Sequence, residues 1–106
     1  MSDKTYNLKC TIGEQTKKST YTGGVSIKGS FTIDSAPDGD YSVNISTNCD
    51  GFDKTFDASV GQAVDFGKIT TNFFDDTTIK VTVTGKSGQT GDAHIIITYH
   101  TCWWAN

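Results

Sequence analysis

The sequence predicts an all-β protein, and its composition, its hydrophobic pattern and its length support this. The chain has 106 residues with 11 glycines and one proline, and it is rich in Thr, Ser, Val, Ile and aromatic residues, as is typical of short strands joined by tight turns. Apolar and polar residues alternate along most of it, and no stretch has the period of an amphipathic helix. We expect one domain over residues 1–106, an antiparallel β-sandwich of seven or eight strands, immunoglobulin-like or jelly-roll.

The first half of the chain contains three predicted strand regions. The first strand carries its apolar residues on one face, at Tyr6, Leu8, Cys10 and Ile12. A polar loop over Gly13–Lys18 leads to the run Ser19–Ile33, in which several glycines predict a bulge or a hairpin. After the turn Ser35–Gly39, the segment Tyr41–Thr47 alternates most regularly and is predicted to be an amphipathic strand.

The second half is divided in the same way by turn residues. Strands are predicted over Phe52–Val60, Ala63–Thr71 and Ile79–Val83, and a phase shift near Gly67 indicates a further bulge. The last strand begins at Asp92 and continues to the C-terminus. Because side chains alternate between faces, one of its faces is predicted to be core: Ala93, Ile95, Ile97, Tyr99 and Trp103. The other face is mixed: His94, Ile96, Thr98, His100, Cys102 and Trp104.

Charge and cysteine content restrict the partners and the compartment. The net charge is −3, and the chain has no arginine, the side chain best suited to forked phosphate contacts, so nucleic acid is not an expected partner. The first residues lack the apolar run of a signal peptide, and no segment is apolar enough to span a bilayer. Three cysteines leave at least one unpaired, which fits a reducing compartment. We expect a soluble protein, cytoplasmic or non-classically secreted.

Two segments resemble a known class of β-sandwich. Gly29-Ser30-Phe31-Thr32-Ile33, followed by Pro37-Asp38-Gly39-Asp40-Tyr41-Ser42-Val43, is similar to the pattern of carboxypeptidase-regulatory-like and transthyretin-like modules. The resemblance extends to Gly67-Lys68-Ile69. It implies a β-sandwich and assigns no site residues.

Aromatic and amide side chains near the end of the chain suggest carbohydrate binding. An exposed indole stacks on the apolar face of a pyranose, while carboxylates and amides bind its hydroxyls. The candidate sugar-binding residues are Trp104, His100, Asn72, Asp75, Asp76 and Asn106. Alternatively, one indole fills the core and the other covers a sheet edge or a partner subunit.

Acidic loops suggest a calcium site, because Ca²⁺ takes six to eight oxygen ligands and tolerates irregular geometry. The candidate ligands are Asp38, Asp40, Asp50 and Asp53. Asp is also a common turn residue, which is the simpler explanation. His100 and Cys102 share a face but are too few to form a zinc site. No nucleophile motif is present and Glu14 is the sole glutamate, so we expect no enzymatic activity.

These observations lead to a non-catalytic, lectin-like protein that binds a glycan or glycoprotein by stacking and hydrogen bonds, with Ca²⁺ as a candidate cofactor. A homo-oligomer would raise the avidity of such a site. The first alternative is a structural or protein-interaction module, such as a virion decoration protein, a surface-assembly subunit or an inhibitor. A further alternative is a membrane-binding or pore-forming sandwich, which the acidic charge disfavours on anionic lipid.

Overall fold

A computed structural model describes residues 3–20, 26–49, 51–71 and 75–102, and within them it contains eight strands. The strands are β1 (Asp3–Thr11), β2 (Gln15–Thr20), β3 (Ser26–Ser35), β4 (Asp40–Thr47), β5 (Asp53–Ser59), β6 (Ala63–Ile69), β7 (Thr77–Gly85) and β8 (Asp92–Cys102). The predicted all-β class is confirmed. No helix long and apolar enough to cross a membrane occurs among the described residues.

The strands form two four-stranded sheets with the orders β1-β8-β3-β6 and β2-β7-β4-β5. We call them the first and second sheet. Every neighbouring pair is antiparallel. The pairings of β1 with β8, β2 with β7, β3 with β6 and β4 with β5 are those of one long hairpin rolled into two layers. This is the eight-stranded jelly roll, so the structure decides between the two predicted architectures.

The core lies between the sheets and is built from the alternating positions. In β4, Tyr41, Val43 and Ile45 are almost completely buried. In β8, the predicted inward face is confirmed from Ala93 to Tyr99. Complete burial of an aliphatic side chain stabilises the fold by about 1.5–3 kcal/mol. A shift of one residue would expose every buried side chain of a strand, so burial fixes the register of β4 and β8. Trp103 and Trp104 lie outside the described residues.

One predicted loop is a strand. The polar segment predicted as a loop over Gly13–Lys18 mostly belongs to β2, and the predicted run Ser19–Ile33 is divided between β2 and β3, which lie in different sheets. β2 has the sequence QTKKST and contains no apolar residue, so its hydrophobic pattern gives no sign of a strand. It is held by antiparallel pairing with β7 over Gln15–Thr20.

The bulge predicted near Gly67 is confirmed. Gly29 of β3 lies opposite Gly67, whereas the next residue, Ser30, lies opposite Asp65, which leaves Phe66 as the extra residue of β6. Gly67 has a φ of 84°, a conformation that glycine adopts without steric cost. Its N–H donates to Asp65 Oδ1 at 2.6 Å. The bulge shifts the alternation by one residue after Phe66, so that Phe66 and Ile69, three residues apart, are both buried, at 2% and 1% exposed.

Candidate functional site

Three of the six predicted sugar-binding residues are described. His100 is half-buried on the outer surface of β8, and Asp75 and Asp76 are exposed immediately before β7. They lie at the same end of the sandwich, because Tyr6 contacts both Tyr99 and Thr20, and Thr20 pairs with Thr77, the first residue of β7. Trp104, Asn72 and Asn106 lie outside the described residues, so the stacking site stays a prediction.

The structure does not bring the predicted calcium ligands together. Asp38 and Asp40 lie at the start of β4, whereas Asp53 begins β5 opposite Ser46, near the other end of β4. Six residues of strand separate the two positions by about 20 Å, so one ion cannot contact both. Asp50 lies outside the described residues. Among the residues that are described, no group of three or more His, Cys, Asp or Glu side chains is arranged to hold a metal ion.

The two histidines have different surroundings. His94 Nδ1 lies 3.2 Å from Asp34 Oδ2, and its neighbour on the same strand, Asp92, lies 3.6 Å from the Lys9 ammonium. These are surface pairs of small energetic value. His100 is opposite Lys28 on β3. The predicted pair of His100 and Cys102 has no described geometry, because the Cys102 side chain lies outside the described residues.

A polar cavity of about 260 Å³ lies beside the end of β5. It is lined by Asp40, Asp57, Ala58, Ser59, Gln62 and Lys86. Its charged groups already have partners, because the Lys86 ammonium donates to Asp57 Oδ1 at 2.6 Å and Ser59 Oγ donates to Asp40 Oδ1 at 3.3 Å. Small-molecule sites are usually larger and lined mainly by apolar and aromatic side chains. This recess therefore does not have the character of a ligand pocket.

The clearest candidate site is the open edge of β1. β1 is the outer strand of the first sheet. It pairs with β8 in one unbroken register of nine residues, Asp3–Thr11, and contains neither proline nor a bulge. Its lysines, Lys4 and Lys9, stand near its two ends, and the segment between them is uncharged. Among the described strands, β1 has a neighbour on one side only, so an edge strand of this length can offer its other backbone groups to another chain.

The three other edge strands are better protected against pairing. β2 has six residues and carries the adjacent lysines Lys17 and Lys18. β5 carries Asp53, Lys54 and Asp57 within seven residues. β6 contains the bulge at Gly67. Short length, charge and bulges are the devices by which natural proteins prevent edge pairing. β1 has nine residues, and its middle carries neither charge nor a bulge, which distinguishes this edge from the other three.

A tyrosine cluster fixes β1 to both sheets. The rings of Tyr6 and Tyr99 have centroids 5.6 Å apart. The Tyr6 hydroxyl donates to Thr20 Oγ1 at 3.2 Å and lies 3.1 Å from the Tyr99 hydroxyl, while the Lys18 ammonium stands 4.7 Å above the Tyr6 ring. These contacts join β1, β2 and β8 at one end of the sandwich. The open edge is therefore held in a fixed conformation, which reduces the entropic cost of binding.

The same cluster shifts the pKa values of its hydroxyls. Burial, followed by the hydrogen bond with Tyr6, raises the pKa of Tyr99 to about 12. Burial also raises the pKa of Tyr6, but its hydrogen bonds and the positive charges of Lys18 and Lys4 outweigh this, and the pKa of Tyr6 is lowered overall. The two hydroxyls therefore ionise in order, Tyr6 before Tyr99.

We expect the protein to lose stability between pH 10 and pH 12. An unfolded tyrosine ionises near pH 10, whereas folded Tyr99 keeps its proton to about pH 12. The folded state then holds more protons than the unfolded state, so the free energy of unfolding falls as pH rises. A shift of two units corresponds to about 2.7 kcal/mol. The lowered pKa of Tyr6 acts in the opposite sense below pH 10, and solvent screens the half-buried Tyr6. Relative to neutral pH we therefore expect a net loss of about 1–2 kcal/mol.

Urea unfolding at several pH values checks this expectation, with Tyr99→Phe as the variant and Tyr6→Phe as its control. Tyr99→Phe should show a shallower decline above pH 10, because one group that resists ionisation is gone, while buried Tyr41, whose pKa burial also raises, remains in both proteins. Tyr6→Phe should keep a decline. Equal slopes in wild type and Tyr99→Phe would show that Tyr99 is not responsible.

The described cysteines are not bonded to each other. Cys10 is completely buried in β1, opposite Ala93, and Cys49 follows β4 at the other end of the sandwich. Burial raises the pKa of the Cys10 thiol, and a hydrogen bond with Thr16 offsets part of the effect. A thiol with a raised pKa is a weak nucleophile. Cys10 therefore acts as a small apolar core residue.

Comparison with known proteins finds solved structures of similar fold, but only weak similarity. No family model matches the chain, and no curated protein matches it. A solved structure described as "Bacillus endospore appendages form a novel family of disulfide-linked pili" is similar over 97% of this chain and 88% of that chain, with 15% sequence identity and a TM-score of 0.48. Similarity this weak identifies neither a shared family nor a shared function. The resemblance to carboxypeptidase-regulatory-like modules stays a prediction.

Proposed function

We propose that this protein is a non-catalytic structural module that assembles with further copies of itself by strand pairing at β1. The observation that carries the proposal is the nine-residue edge of β1, which lacks the bulge, the short length or the central charge found on the other edges. Adding a strand to such an edge satisfies its backbone hydrogen-bonding groups, which gives affinity without a pocket.

The sequence of β1 suits pairing with its own copy. An antiparallel pair that uses all nine residues, Asp3–Thr11, is centred on Asn7. In this register Lys4 lies opposite Cys10 of the second copy and Lys9 lies opposite Thr5, so no lysine faces another lysine. Like charges directly opposite each other on a sheet are destabilising. The contact has two-fold symmetry and joins two first sheets into one continuous sheet.

The carbohydrate-binding function is less well supported. Its stacking residue, Trp104, and its amides, Asn72 and Asn106, lie outside the described residues. The described candidates, His100, Asp75 and Asp76, supply polar groups without an aromatic platform. A structural module requires only the edge geometry, which is present in full among the described strands.

Light scattering after size exclusion, over a series of protein concentrations, tests the proposal. Wild type should form a dimer as concentration rises. Asn7→Lys places two lysines opposite each other at the two-fold axis and should keep the protein monomeric, and Asn7→Asp should do the same through two carboxylates. A mixture of the two variants should dimerise again, because their charges are then complementary.

Ala63→Lys is the matched control. Ala63 is exposed at the start of β6, on the opposite edge of the same sheet, and the substitution adds the same charge as Asn7→Lys. It should leave dimerisation unchanged. A wild type that stays monomeric at every concentration would overturn the proposal. Equal loss in Ala63→Lys would place the contact elsewhere, and failure of the mixed variants to pair would exclude the register centred on Asn7.

A further inference from the structure

Three basic side chains lie side by side on the outer surface of the first sheet. His100 on β8 is opposite Lys28 on β3, and Lys28 is opposite Lys68 on β6. All three point away from the core, because their neighbours Tyr99, Ile27 and Ile69 are buried. Adjacent strands are about 4.8 Å apart, so the three positions span roughly 10 Å. We call His100, Lys28 and Lys68 the basic row.

The basic row is not neutralised by the described side chains. The ion pairs among the described residues involve Lys9, Lys86 and His94 and none of the basic row. The nearest carboxylate along β6, Asp65, accepts the Gly67 N–H at 2.6 Å. On the other side of His100, the register places Asp3 of β1, whose side chain lies outside the described residues. Lys28 and Lys68 lie directly opposite each other and repel. This local positive charge contrasts with the whole chain, in which acidic residues outnumber lysines by 12 to 9.

Hydroxyl groups lie next to the basic row on the same surface. Thr98 and Ser30 stand opposite each other on β8 and β3, two positions from His100 and Lys28. In a strand, residues two apart share a face and lie about 7 Å from each other. The surface therefore offers positive charge and neutral hydrogen-bond donors to one ligand.

We propose that the basic row, with Thr98 and Ser30, binds sulfate groups of a sulfated polysaccharide. Lysine ammonium groups attract sulfate as point charges, and the hydroxyls can donate to sulfate or sugar oxygens. The described part of this surface carries no Phe, Tyr or Trp, so it lacks the stacking platform used for single-stranded nucleic acid. This site lies apart from the β1 edge and does not depend on the proposed assembly.

Heparin serves as the probe, and isothermal titration at low ionic strength measures its binding to the full chain. The test variant carries Lys28→Gln and Lys68→Gln. The matched control carries Lys17→Gln and Lys80→Gln, which removes another pair of lysines facing each other across strands, on the outer surface of the second sheet. Both variants change the net charge equally. We expect the first to weaken heparin binding by about tenfold or more and the control by less than about twofold.

Four further measurements define the chemistry, with raised salt, desulfated heparin, polyphosphate and anionic vesicles, and thermal melts establish that each variant is folded. Raised salt should weaken binding, and desulfated heparin should bind poorly. Absence of heparin binding by wild type, or equal weakening in the two variants, would overturn the proposal, the latter because it indicates diffuse charge attraction. Tighter binding of polyphosphate or of vesicles containing anionic phospholipid would overturn the assignment to a sulfated glycan.

Discussion

Gly29→Ala is expected to lower the free energy of unfolding by at least about 3 kcal/mol. A Cβ atom built on Gly29 overlaps the carbonyl oxygen of Thr98 and lies 2.7 Å from both Cα and Cβ of Tyr99. The clash involves the backbone of β8, the central strand that pairs with both β1 and β3. Neither β3 nor β8 can move away from the clash without breaking backbone hydrogen bonds to its neighbouring strands. We therefore expect the melting temperature to fall by roughly 12 °C or more.

Gly67→Ala is the control for this substitution. Gly67 lies directly opposite Gly29, and a Cβ atom there meets nothing within 4 Å, although its φ of 84° is strained for alanine. Strain alone should cost about 1 kcal/mol. Urea unfolding of both variants separates close approach from backbone strain. Similar losses for the two would show that β3 and β8 are not so closely packed at Gly29.

The strands that could be predicted are those with one buried face. In Tyr41–Thr47 and in the last strand, apolar residues recur at every second position, and a shift of one residue would expose all of them. The bulge could also be predicted, because Gly67 interrupts this alternation. β2 could not, since the sequence QTKKST has no buried residue. Antiparallel pairing with the backbone of β7 holds β2 in the strand conformation.

The sequence could not predict sites whose residues become neighbours only through the pairing of strands. Lys28 and Lys68 are far apart along the chain, and only the pairing of β3 with β6 makes them neighbours. Conversely, Asp40 and Asp53 are near in sequence, but β4 separates them. The exposed edge of β1 also depends on topology, because the sequence does not state which strand is outermost. A signal was nevertheless present in β1, whose central residues include neither proline nor charge.

Phe31→Ala is expected to lower the free energy of unfolding by about 3–5 kcal/mol. Phe31 is 1% exposed and belongs to β3, in the middle of the first sheet. Its ring meets that of Phe56 from β5 of the second sheet edge-on, with centroids 5.7 Å apart and an angle of 64° between the rings. Phe31 thus packs the two sheets together, and its removal leaves a cavity that the rigid strands cannot close.

Phe56→Ala provides the comparison, because Phe56 is half-buried on an edge strand. It should cost less than Phe31→Ala, since less apolar surface is returned to water. The double variant should be more stable than the sum of the two losses predicts, by about 0.5–1.5 kcal/mol for the edge-on ring contact. Denaturant unfolding of the four proteins measures this coupling. Strict additivity would mean that the two rings contribute independently, and the contact between β3 and β5 would then depend on burial alone.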